Sequence, residues 1–149
     1  MRGGEPEMID SLNRKMLARA IIDYLDCKIS NFELDDILFE QLSFEDRIVL
    51  KIKNAVYMLY DDCSRHYNKN RHAVKGEKLI LAENWIRLLA SQVDDSAIPK
   101  DEPESIVDKF ISLFRKQKQA EWRFFPFDTE NEWDKLGIPF YARRHFADF

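Results

Sequence analysis

Glycine is nearly missing from this sequence: Gly3, Gly4, Gly76 and Gly137 are the only ones in 149 residues. Between Glu7 and Lys75 there is neither glycine nor proline. A β-sandwich or barrel would need turn residues every 8–12 residues or so, so this shortage argues against one and for long helices. Cysteine is limited to Cys27 and Cys63. Both fall inside helical patterns and read as two buried thiols of a reduced compartment, not as a disulfide framework. Long apolar runs are absent too. The longest, Ala55 to Tyr60, has six residues, where a membrane-spanning helix needs about 20. The first seven residues carry no apolar core, so a secretory signal is not expected and the expected location is cytoplasmic. Neither sign of charge dominates. With 23 cationic and 27 acidic residues the net charge is −4, which gives no bulk attraction to nucleic acid or anionic lipid.

What is present is helical periodicity. The expectation is one all-α domain over residues 1–149: a bundle of about five main helices, a short capped C-terminal helix and an extended aromatic segment. Residues 1–7 are expected to be disordered and 94–104 to form a flexible loop. Helix one runs from Asp10 or Ser11 to about Cys27. Its buried face carries Leu12, Met16, Leu17, Ala20, Ile21, Tyr24 and Leu25, and Arg14, Lys15, Arg19, Asp23 and Asp26 lie opposite. Ser30 and Glu33 then spell a capping box, flanked by Ile29 and Leu34 at the staple positions. The short helix that follows uses Leu34, Ile37 and Leu38. Ser43 and Asp46 repeat a weaker form of the same device.

A long third helix is expected from about Phe44 to Tyr67, burying Ile48, Val49, Ile52, Val56, Leu59, Tyr60, Cys63 and Tyr67. A polar, basic loop follows, then a fourth helix from about Glu77 to Val93, and a fifth from Glu104 or Ser105 to about Gln117. Trp122 to Phe127 reads as extended, because Pro126 biases Phe125 away from the helical region. Thr129 and Glu132 suggest another capping box. Gly137, Ile138 and Pro139 suggest a Schellman stop in which Trp133 meets Ile138.

The turn Lys28 to Glu33 between two amphipathic helices, with Trp122 to Phe127 before the stretch Glu132-Trp133-Asp134, resembles a group of short bacterial helical proteins of unassigned function. The resemblance implies a bacterial cytoplasmic origin and supplies no activity.

Few constellations promise chemistry. Cys63, His66 and His72 have metal-ligating side chains, but a fourth ligand is undefined, and a core thiol beside a surface histidine is the competing reading. No metal and no cofactor is expected. The acid pairs Asp35/Asp36, Asp61/Asp62 and Asp94/Asp95 point about 100° apart on a helix and do not converge on one atom. No glycine-rich phosphate loop or nucleophile motif occurs, so an enzyme is not expected.

Two surfaces stand out. Arg65, Lys69, Arg71, Lys75 and Lys78 face a single acid, Glu77, while residues 1–62 hold 8 cations and 13 acids. Such a loop suits an acidic partner or, as the alternative, nucleic acid. It also fits cations that merely complement a helix dipole. Trp122, Phe124, Phe125, Phe127 and Trp133 begin a segment holding 9 of the 19 aromatics. These rings either close the bundle or form an interface with another protein or a second copy. The function expected is therefore a non-enzymatic interaction or structural module, able to homodimerise, with no membrane role.

Overall fold

The computed structural model describes residues 9–43, 45–93, 96, 123–127 and 129–138. These form α1 (Ser11–Leu25), α2 (Asn31–Glu40), α3 (Arg47–Val56), α4 (Glu77–Ala90) and a short α5 (Glu130–Lys135), with 3-10 turns at Tyr57–Leu59 and Asn70–His72. The chain is helical, with no strand among the described residues. No helix there is long and apolar enough to cross a membrane. The expectations for residues 1–7, the 94–104 loop, the fifth helix, Trp122 and the residues from Pro139 onward lie outside the described part, apart from Ser96.

Helix α1 packs chiefly against α4 and also meets α2 and α3. Leu17, Ile21, Tyr24, Leu34, Leu38, Ile48, Ile52, Leu81 and Trp85 are fully buried between them. In α4 every residue from Leu81 to Ile86 is buried, a wider face than an amphipathic stripe provides, as befits a central helix. Leu12, expected inside, is 69% exposed. It sits in the first turn of α1.

The Ser30 capping box is present in both directions. Ser30 Oγ accepts from Glu33 N–H at 3.2 Å and Glu33 Oε1 accepts from Ser30 N–H at 3.2 Å. The Ser30 backbone N–H holds the Glu33 carboxyl below its usual range, helped by the Ser30 hydroxyl and Arg65. A lowered carboxyl contributes stability above its unfolded value that is lost as pH falls through its folded value. Ser30→Ala should cost about 1 kcal/mol, and the penalty should shrink on acidification through the Glu33 titration. Urea midpoints at neutral and acidic pH check this, with Ser11→Ala, outside the cap, as the near-neutral control.

The other caps differ from expectation. Asp46, not Ser43, caps α3, accepting from Ile48 N–H at 3.1 Å. Thr129 precedes α5 but makes no side-chain cap bond, so the expected capping box with Glu132 is absent. The Schellman stop is present. Ile138 N–H donates to Trp133 C=O at 3.2 Å and Gly137 N–H to Asp134 C=O at 3.0 Å, with Gly137 at φ +75°. Helix α1 closes in the same way without glycine. Lys28 N–H reaches Asp23 C=O at 2.8 Å and Cys27 N–H reaches Tyr24 C=O at 3.1 Å, with Cys27 at φ +62°. Cys27 is consequently exposed and not a core thiol.

Arg14, expected on the solvent side, is 1% exposed. Its Nε lies 2.6 Å and its Nη2 3.2 Å from the two oxygens of buried Asp46, while Nη1 donates to Ser91 C=O at 3.2 Å. Asp46 also accepts from Asp10 N–H at 2.8 Å, so one ion pair ties the start of α1 and α3 to the end of α4.

The aromatic segment is a tight turn over 123–127, not an extended strand: Phe127 N–H donates to Phe124 C=O at 2.9 Å, and the Phe125–Pro126 bond is cis. Two indoles grip it. Trp85 Nε1–H donates to Phe125 C=O at 2.8 Å and Trp133 Nε1–H to Phe124 C=O at 2.7 Å. These two carbonyls serve as acceptors for buried tryptophans, which an extended segment would not place together.

Candidate functional site

The expected third helix stops at Val56, well before Tyr67, and this gives the chain its one long irregular segment among the described residues. After the 3-10 turn at Tyr57–Leu59, Tyr60 is extended at φ −149° and ψ 161°. Residues 60–76 then run to α4 with only a second 3-10 turn inside them. Ordered loops of that length are uncommon and are often functional. The apolar spacing of Leu59, Tyr60 and Cys63 continues the helical stripe, but side chains offer the backbone a competing set of bonds. The Asn31 carboxamide donates to Asp61 C=O at 2.9 Å and Ser64 C=O at 3.0 Å, and its oxygen accepts from His66 N–H at 2.9 Å. Asn31 N–H, otherwise an orphan at the start of α2, donates to His66 C=O at 3.0 Å. Asn68 pins the other half, donating to Leu25 C=O at 2.9 Å and accepting from Val74 N–H. The loop is therefore built, and its two fasteners are buried or half-buried asparagines.

This loop, the 3-10 turn before it and the first turn of α4 enclose a cleft of about 440 Å³ lined by residues including Asp61, His66, Arg71, His72, Lys75 and Lys78. Arg71, Lys75 and Lys78 are exposed, and Lys75 and Lys78 have no ion pair among the described residues. Arg65 is turned toward Glu33, with Nη2 3.3 Å from Oε1, and Lys69 lies over the Tyr67 ring at 5.8 Å. Of the basic residues singled out in the sequence, Arg71, Lys75 and Lys78 thus line the cleft and Arg65 and Lys69 do not.

The expected roles of Cys63 and His66 are reversed. Cys63 is exposed and its N–H donates to Asp61 Oδ1 at 3.2 Å. His66 is 8% exposed, with Nδ1 3.0 Å from Ser64 C=O and Nε2 3.4 Å from the Tyr24 hydroxyl. Burial, then the Asp61 carboxylate and Cys27, push the Tyr24 hydroxyl up to about 12, so it acts as a donor. His72 stacks on His66 with ring centroids 3.8 Å apart and planes 7° from parallel. Asp61, near the cluster in sequence but not one of its expected ligands, takes the place of Cys63: its Oδ2 is 3.8 Å from His72 Nδ1.

A second cleft, about 380 Å³, is lined by Asp35, Phe39, Tyr57, Tyr60 and Asp62. The Tyr60 hydroxyl donates to Asp35, and burial together with that carboxylate pushes the hydroxyl up. Lys53 already places its ammonium over Phe39 at 5.0 Å and Tyr57 at 5.5 Å, so the aromatic faces there are taken by a cation of the chain itself.

The aromatic set divides between core and rim. Phe127 and Trp133 are buried and meet edge to face at 5.1 Å, while Phe124 and Phe125 are half-buried against the core. Comparison with protein-family models, curated proteins and solved structures finds no match.

Proposed function

We propose that this chain is a non-enzymatic binding module of the cytoplasm whose working surface is the anchored loop at 60–76, and that it takes an acidic segment of a partner protein in the cleft lined by Arg71, Lys75 and Lys78. The observation that carries this reading is the pairing of a fastened backbone with unpaired cations. Two asparagines hold an irregular loop in one shape, and exposed Lys75 and Lys78 stand at its cleft. Cations that only complemented a helix C-terminus would lie over the last turn of α3. That helix ends at Val56, so the cations from Arg65 onward no longer follow directly on its C-terminus, where the dipole reading needs them.

Nucleic acid is the second reading, resting on the same cations. A duplex would need neutralisation along an extended stripe, whereas Asp61 stands in the cleft. A dimer through the aromatic segment is less supported, because Phe127 and Trp133 are already buried within their own chain.

A fluorescently labelled glutamate-rich peptide should bind the protein at low salt and weaken as salt rises. Duplex DNA and single-stranded RNA at the same concentration should show no measurable binding near physiological salt. Tighter binding of either nucleic acid than of the peptide would replace this reading with the second.

A further inference from the structure

We propose that Asp61, His66 and His72 form a binding site for a divalent first-row transition ion of the zinc type, with a fourth coordination position open to the cleft. One donor atom of each residue lies within 4.8 Å of the other two. Two imidazoles and a carboxylate are the donor set that such ions accept, and three protein ligands with one open position is the pattern of non-structural zinc sites.

The bonds around each ligand match what an ion needs. His66 Nδ1 faces the Ser64 carbonyl at 3.0 Å. A carbonyl only accepts, so Nδ1 carries the hydrogen and Nε2 presents its lone pair. A ligating histidine commonly gives its other N–H to a backbone carbonyl in this way, which fixes tautomer and orientation. The Tyr24 hydroxyl at 3.4 Å is too distant to hold that lone pair firmly. Asp61 is oriented likewise, since Cys63 N–H occupies Oδ1 at 3.2 Å and leaves Oδ2 toward His72 Nδ1 at 3.8 Å. Asn31 fastens the backbone at Asp61, Ser64 and His66, so the site's main chain is set before any ion arrives.

Metal–donor distances of 2.0–2.2 Å place tetrahedral donors about 3.4 Å apart. The ion must therefore draw the three together by an ångström or so and turn the stacked rings toward one another. Exposed Asp61 and half-buried His72 supply that movement and buried His66 stays. Arg71 Nε donates to His72 Nε2 at 3.2 Å, so the neutral His72 carries its hydrogen on Nδ1. To ligate through Nδ1 as a neutral imidazole, His72 shifts that hydrogen to Nε2 and gives up the Arg71 bond, with no net proton released. The cations at the cleft oppose a bare dication and favour an anionic fourth ligand.

The site is measured without any peptide, so its outcome is separate from that of the acidic-partner reading. Isothermal titration of the full chain with Zn²⁺, and Co²⁺ as a probe whose visible absorption reports tetrahedral coordination, should show one ion per chain. His72→Ala and Asp61→Asn, at positions not fully buried, should each weaken binding at least ten-fold, and Cys63→Ser should leave it unchanged. No uptake by the wild-type chain, or undiminished uptake by both ligand variants, overturns the site. Loss confined to Cys63→Ser also overturns it, by assigning the ion to the thiol.

Discussion

Asp46→Ala should lower the free energy of unfolding by about 3–5 kcal/mol, the range for removing one member of a buried ion pair. The loss would be of that order because Asp46 accepts from four donors, Arg14 Nε and Nη2 and the N–H groups of Asp10 and Ile48. Without it the Arg14 guanidinium stays buried with only the Ser91 C=O bond left to it among the described residues. Removing both charges is different in kind. Arg14→Met with Asp46→Leu leaves no unpaired charge, and apolar replacement of a buried pair is often neutral. The double variant should therefore recover part of the single variant's loss, less the cap of α3 and the bond to Asp10. A denaturation series of wild type, both single variants and the double variant decides this. Additive losses would show that Arg14 and Asp46 are not coupled.

Trp133→Ala should destabilise by about 3–5 kcal/mol as well, and by the same amount at every protein concentration. Trp133 is 0% exposed, meets Phe127 edge to face at 5.1 Å and donates its indole N–H to Phe124 C=O. Truncation thus removes a buried ring and one of the bonds to Phe124 C=O, which keeps its bond from Phe127 N–H. Denaturation at two well-separated protein concentrations, with sedimentation velocity on the same samples, provides the check. A variant that keeps its midpoint but loses an oligomer would move these rings from the core to an interface.

Some helix starts and stops are legible in local chemistry, although the equally local Thr129–Glu132 signal makes no cap bond. Ser30 with Glu33 and the Gly137-Ile138 stop needed only residues within one or two turns. Several of the larger differences share a cause: long-range polar pairing. Nothing local marks Arg14 as buried, since its partner lies 32 residues away. The apolar stripe through Leu59, Tyr60 and Cys63 suggested a helix because the competing acceptors' partner, Asn31, sits 30 or more residues earlier in α2. Cys63 was assigned to the core on that stripe, and once the helix ends at Val56 the reason disappears. The sequence places Asp61 near the cluster, but as half of an acid pair on a helix face it does not read as a ligand. In the loop it turns toward His72 instead. The basic residues were found from sequence, but which of them share a cleft depends on the anchored backbone.

The central claim is that the anchored loop binds acidic chains through Arg71 and Lys75. Its most direct test is an equilibrium anisotropy titration of the glutamate-rich peptide against wild type and Arg71→Glu/Lys75→Glu, at low and physiological salt. Both side chains are exposed, so the double variant should keep its helical circular dichroism and lose the peptide at both salt concentrations. A folded double variant that binds the peptide as tightly as wild type would contradict the account.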